Sequence, residues 1–144
     1  MAWRSHDKFW AAEPPQPGAA KRIWKVKPMS ENLSITLTPI PGGLLASARG
    51  RIDSSTAALF EEELQGALAQ APQALVVELA QVEYMSSAGL RVLLMTTKRC
   101  KAEHRRMILC AMSPGIREVF DISGFSAIFD IEETAEAARQ KAQS

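Results

Sequence analysis

The sequence predicts an α/β domain built on a mixed, mostly parallel sheet of four to five strands flanked by about four helices. Three observations point there. The patterns along the chain run strand, strand, helix, strand, helix, strand, helix, short strand, helix. Ala74 to Leu79 and Met107 to Met112 are short apolar runs between breakers, the signature of strands covered on both faces. After an opening hairpin, strands alternate with helices, which implies parallel pairing through right-handed crossovers.

The elements follow in order. Met1 to Ser30 interleaves Trp3, Trp10 and Trp24 with basic residues, contains Pro14, Pro15, Pro17 and Gly18, and keeps no sustained period. We read residues 1–30 as a basic, poorly ordered extension and residues 31–144 as the domain, with Met29 a candidate start just ahead of the organised sequence. Basic residues mixed with aromatics also suit a membrane surface or nucleic acid. From Leu33, apolar Leu33, Ile35 and Leu37 alternate with Ser34, Thr36 and Thr38, as in a half-buried strand. Pro39 to Gly43 supplies a turn, and Gly43 to Ile52 reads as the partner strand.

Asp53, Ser54 and Ser55 resemble a helix N-cap region, after which Thr56, Leu59, Phe60, Glu63, Leu64, Ala67 and Leu68 recur at helical spacing until Ala71 and Pro72. The buried strand Ala74 to Leu79 comes next. Leu90, Leu93, Leu94 and Thr97 then mark a helix to about Glu103, whose basic end, Lys98 to Arg106, complements its dipole. Met107 to Met112 is another buried strand. Ser113 and Pro114 form a helix start, Ile116, Val119 and Phe120 its buried stripe, and Gly124 its stop. Phe125 to Ile131 holds a short strand, and Glu132 to Lys141 a final helix, acidic first and basic last.

Composition narrows the function classes. A chain of 144 residues that is 47% apolar can bury one sizeable core. The net charge of +1 hides six Lys or Arg against two acids in residues 1–30, and eleven against fourteen thereafter. A mildly acidic body does not suit phosphate-backbone binding, so no direct nucleic-acid contact is expected of it. Cys100 and Cys110 lack metal-ligand spacing and read as buried thiols in a reducing compartment. Without an apolar run of spanning length or a secretory apolar region, the expectation is a cytoplasmic protein without membrane insertion.

No catalytic centre is legible, so the chain is read as a non-enzyme needing no cofactor or metal. His6 lies in the extension and His104 in a run of charges, and Gly89 lacks the spacing of a phosphate loop. What stands out is Glu83-Tyr84-Met85-Ser86-Ser87-Ala88-Gly89-Leu90, where a buried strand hands over to a helix. Ser86 or Ser87 could simply cap that helix. Equally, a hydroxyl at a helix N-terminus is open to a kinase, and the dipole tolerates its phosphate.

The segment Val82 to Leu94 resembles the signature of STAS domains, especially bacterial anti-sigma factor antagonists. Gly50-Arg51-Ile52-Asp53 with Thr56-Ala57, and Ser113-Pro114 through Phe120 with Ser123-Gly124-Phe125, resemble further blocks of that family. The resemblance covers about residues 31–140. It implies a partner, an anti-sigma factor serine kinase, bound by the unphosphorylated form so that a sigma factor is freed. Phosphorylation would release the kinase, and a PP2C-like phosphatase would reset the switch. Ser87 matches the usual phosphoacceptor, with Ser86 the second candidate standing where many members have Asp, and Ala88 where others have Ser or Thr. The partner surface implied is Asp53, Met85, Ser86, Ser87, Ala88, Gly89 and Leu90. A different class is a STAS adaptor subunit of a transport or signalling assembly, in which the serines only cap; a small enzyme or nucleotide binder is a third.

Overall fold

A computed structural model describes residues 25–30 and 32–144. The expectations resting on Trp3, His6, Trp10 and Trp24 lie outside the described residues. The elements are β1 (Lys25–Ser30), β2 (Leu33–Ile40), β3 (Gly43–Ile52), α1 (Ala57–Leu68), β4 (Ala74–Met85), α2 (Ser87–Ala102), β5 (Arg106–Cys110), α3 (Pro114–Ile122), a 3-10 turn at Phe125–Ala127, β6 (Asp130–Glu132) and α4 (Ala135–Ala142). The strands form one sheet in the order β1-β2-β3-β4-β5-β6. The first two pairings are antiparallel and the remaining three parallel.

The predicted α/β class is therefore the observed one, with one strand more than the sequence pattern suggests. Lys25–Ser30 pairs with β2, so the sheet begins ahead of the 30/31 boundary. The strand is hard to see in sequence because Pro28 and a register shift between Pro28 and Ser30 interrupt its pattern.

Strands covered on both faces explain the unbroken apolar runs. Leu75, Val77 and Leu79 of β4 and Met107 and Leu109 of β5 face the larger core, shared with Phe60 and Leu64 of α1, Leu90 and Leu93 of α2, and Ile116 and Phe120 of α3. Their alternates, Val76, Ile108 and Cys110, face a smaller core closed by Ala138 and Ala142 of α4. Cys100 and Cys110 are both buried free thiols, as expected, and burial, aided by Glu78, pushes Cys110 up to about 12.

Two boundaries differ from the sequence reading. β4 continues past Leu79 to Met85, with register shifts against β3 between Ser47 and Arg49 and between Gly50 and Arg51. These irregularities destroy the period-two pattern over Ala80 to Met85, where only Val82 and Met85 are buried. Glu132, expected in the last helix, belongs to β6, where Ile131 pairs with Leu109. The helix starts after Thr134, which caps it by accepting from the Ala137 amide at 3.0 Å.

Candidate partner-binding site

The serine turn sits where the parallel strands β3 and β4 end together. Arg51 pairs with Tyr84 and Ile52 with Met85, and the Ser86 amide donates to the Ile52 carbonyl at 2.8 Å, carrying the pairing one residue past the strand. Asp53 and Ser86 each follow one member of the Ile52–Met85 pair, which makes them neighbours although 33 positions separate them.

The two serines have different structural duties. Ser86 is the N-cap of α2, with φ −93° and ψ 177°, and its hydroxyl accepts from the Ala88 amide at 3.2 Å. Ser87 is the first helical residue, exposed, and its hydroxyl has no hydrogen-bond partner among the described residues. The capping that the sequence allowed to either serine thus falls to Ser86. Ser86→Ala is expected to cost about 1 kcal/mol and to lower Tm by about 4 °C in a thermal melt, whereas Ser87→Ala should stay within about 0.5 kcal/mol of the parent.

Met85, Gly89 and Leu90 lie beneath the turn rather than on its surface. Met85 and Leu90 are 4% and 6% exposed and belong to the larger core. Gly89 is buried so closely against β3 that an added Cβ would meet Ile52 Cγ2 at 2.6 Å and Met85 Cγ at 3.0 Å. These three cannot offer side chains to a partner and act by holding the turn in place. Ser87, with Ser86, Ala88 and Asp53 more partly covered, forms the accessible rim.

Asp53 does not cap α1 as the sequence suggests; Thr56 takes that position without a side-chain cap bond. Asp53 instead closes its own turn. Its carboxylate accepts from the Ser55 amide at 2.9 Å and the Ser55 hydroxyl at 2.7 Å, with Arg51 Nε 3.7 Å away. Its amide donates to Thr56 Oγ1 at 2.9 Å, and that hydroxyl donates to the Arg51 carbonyl at 2.9 Å. The Ser55 hydrogen bonds, foremost, hold the Asp53 carboxyl below the usual carboxylate range. A depressed folded-state pKa stabilises the fold above the ordinary carboxylate value, a contribution lost as pH falls through the lower folded value. In a carbon-detected NMR titration, Ser55→Ala is expected to raise the Asp53 midpoint; an unchanged midpoint would assign the effect elsewhere.

Arg51 and Tyr84, which belong to the quoted motifs but not to the partner surface expected from sequence, lie beside this rim. The Arg51 guanidinium lies 4.6 Å from the Tyr84 ring centroid, and Tyr84 is 43% exposed. The signal that joins them is the parallel register of strands distant in sequence, which no local motif carries. Tyr and Arg are, with Trp, the side chains enriched among the residues that anchor protein interfaces.

Two cavities, one near Gln73, His104 and Arg106 and one near Cys100, Met107 and Ile128, include no residue of the serine turn. Among the described residues no His, Cys, Asp and Glu side chains gather as a metal site. No described helix is long and apolar enough to cross a membrane.

The turn opens from a mixed sheet with three helices on one face and one on the other. The STAS domain family model matches residues 34–138, and the chain belongs to that family. Within it, a relative from Bordetella bronchiseptica, BtrV, which its name places with the anti-sigma factor antagonists, is 37% identical over 106 residues, 74% of this chain and 91% of its own. The anti-sigma-F factor antagonist RsfB of Mycobacterium tuberculosis is 35% identical over 69 residues, 48% of this chain and 57% of its own. The crystal structure of an anti-sigma factor antagonist from Mycobacterium paratuberculosis is similar at a TM-score of 0.73 and 26% identity, covering 83% of this chain and all of that one.

Proposed function

We propose that this chain is an anti-sigma factor antagonist whose unphosphorylated form binds a serine kinase-type anti-sigma factor and so frees a sigma factor, and whose phosphorylation at Ser87 releases that kinase. It acts by binding and not as an enzyme, within the cytoplasm, and a PP2C-like phosphatase resets it. The antagonist names of its relatives support the partner class. The observation that carries the switch is the exposed Ser87 hydroxyl, without a hydrogen-bond partner among the described residues while Ser86 does the capping.

The physical logic is an interface effect. A phosphate adds a charge of about −1.5 to −2, and the helix dipole stabilises an anion at its N-terminus by only about 0.3–1 kcal/mol. That is too little to rearrange a sheet with this core, but enough for the free domain to tolerate the modification. Against a partner surface matched to a neutral hydroxyl, an uncompensated charge costs several kcal/mol.

Incubation with a candidate kinase-type anti-sigma factor and ATP, followed by site mapping by mass spectrometry, tests the reading. Phosphate is expected on Ser87 and absent from the Ser87→Ala variant. If neither Ser86 nor Ser87 is modified, and Ser87→Ala binds its partner as the parent does, the serines are caps and the chain is an adaptor.

A further inference from the structure

The cations near Ser87 are not equivalent. Arg51, at the end of β3, is occupied by the Asp53 carboxylate and stacked on Tyr84. Arg91 is exposed on α2 and has no ion-pair or hydrogen-bond partner among the described residues. Ser87 is the first residue of the same helix, so the two are four residues apart and share one exposed face. At that spacing side chains are neighbours, and an anion placed N-terminal to the cation is the favourable order; the helix dipole itself favours the anion, which sits in the first turn. A guanidinium additionally matches two phosphate oxygens at once.

We infer that Arg91 is the receiving group for a phosphate on Ser87, pairing with it across the first turn of α2. This rests on the phospho-switch reading of Ser87. The phosphorylated turn is then a self-contained state: the phosphate oxygens are engaged within the chain, and Arg91, which pairs with none of the described residues in the unmodified form, is withdrawn from any contact with the partner. One modification changes two side chains of the docking face. The other charged groups carried by the adjoining strand ends are Arg51, Asp53 and Glu83. Asp53 and Glu83 are carboxylates that repel a phosphate, and Arg51 is already engaged by the Asp53 carboxylate and the Tyr84 ring.

The test installs phosphoserine at position 87 of the full chain during translation, so that it does not depend on any kinase. The phosphate is titrated by phosphorus NMR at low salt. Its second ionisation, ordinarily near pH 6, should lie lower in the phosphoprotein, and Arg91→Gln should move it up by about 0.3 pH units or more. Lys98→Gln, an exposed cation on the same helix, should leave it unchanged, and circular dichroism checks that both variants keep the fold. A titration that Arg91→Gln leaves unmoved, or that Lys98→Gln moves equally, overturns the pairing. Failure of the kinase to modify Ser87 would instead strike the phospho-switch, an outcome read in the separate mapping experiment.

Discussion

Ser87→Asp is expected to weaken binding to the kinase-type anti-sigma partner by about 10- to 1000-fold while leaving the domain folded. The asymmetry follows from where Ser87 lies. In the free chain its side chain is exposed at a helix N-terminus, where a carboxylate is slightly favourable, about 0.3–1 kcal/mol. In a complex the same charge is desolvated, at several kcal/mol, and each 1.4 kcal/mol is tenfold in affinity. Calorimetric titration of the partner measures the loss, and a thermal melt of the variant alone shows whether it arises from unfolding. Ser86→Asp is a different experiment, because it changes the group that accepts from the Ala88 amide, and Asp is itself a good N-cap.

The second large effect is one of sign. Gly89→Ala is expected to destabilise the domain by about 1–3 kcal/mol, although Ala is the better helix former by about 1 kcal/mol. The new methyl would enter the space of Ile52 Cγ2, on a β-branched side chain that is fully buried and has no room to turn aside. Relief must come from lifting the first turn of α2 off the sheet, which displaces Ser86 and Ser87. Gly66→Ala in the last turn of α1 should do the opposite and stabilise by about 0.5–1 kcal/mol, since its added Cβ meets nothing within 4 Å. Chemical denaturation of the two variants side by side checks the contrast. Partner affinity should fall for Gly89→Ala and hold for Gly66→Ala.

The contrast also shows what could be read from the sequence. The order of elements, the opening hairpin, the two buried strands and the position of the serine turn were legible because each rests on a local pattern or a breaker. Ser113 and Pro114 announced their helix correctly, with the Ser113 hydroxyl accepting from the Ile116 amide. What escaped depends on pairing between distant strands. The second half of β4 hides behind its register shifts, and β1 behind Pro28.

At the site the same limit applies. The motif located Ser86 and Ser87 but could not divide cap from free hydroxyl, because both residue type and spacing suit either. It grouped Met85, Gly89 and Leu90 with the surface, whereas burial assigns them to the support beneath it. Asp53 read as a cap because Asp before a helix commonly is one; its real partners, the amide and hydroxyl of Ser55, emerge only once the turn is folded. Arg51 and Tyr84 meet across parallel strands and leave no sequence trace of doing so.

The central claim is that a phosphate on Ser87 governs partner binding, and one measurement addresses it directly. The kinase-type anti-sigma factor is titrated into the chain before and after stoichiometric phosphorylation at Ser87, in the same buffer and salt. A loss of affinity of tenfold or more on phosphorylation, reversed when phosphatase removes the group, is the predicted result. Equal affinity of the two forms would contradict the account.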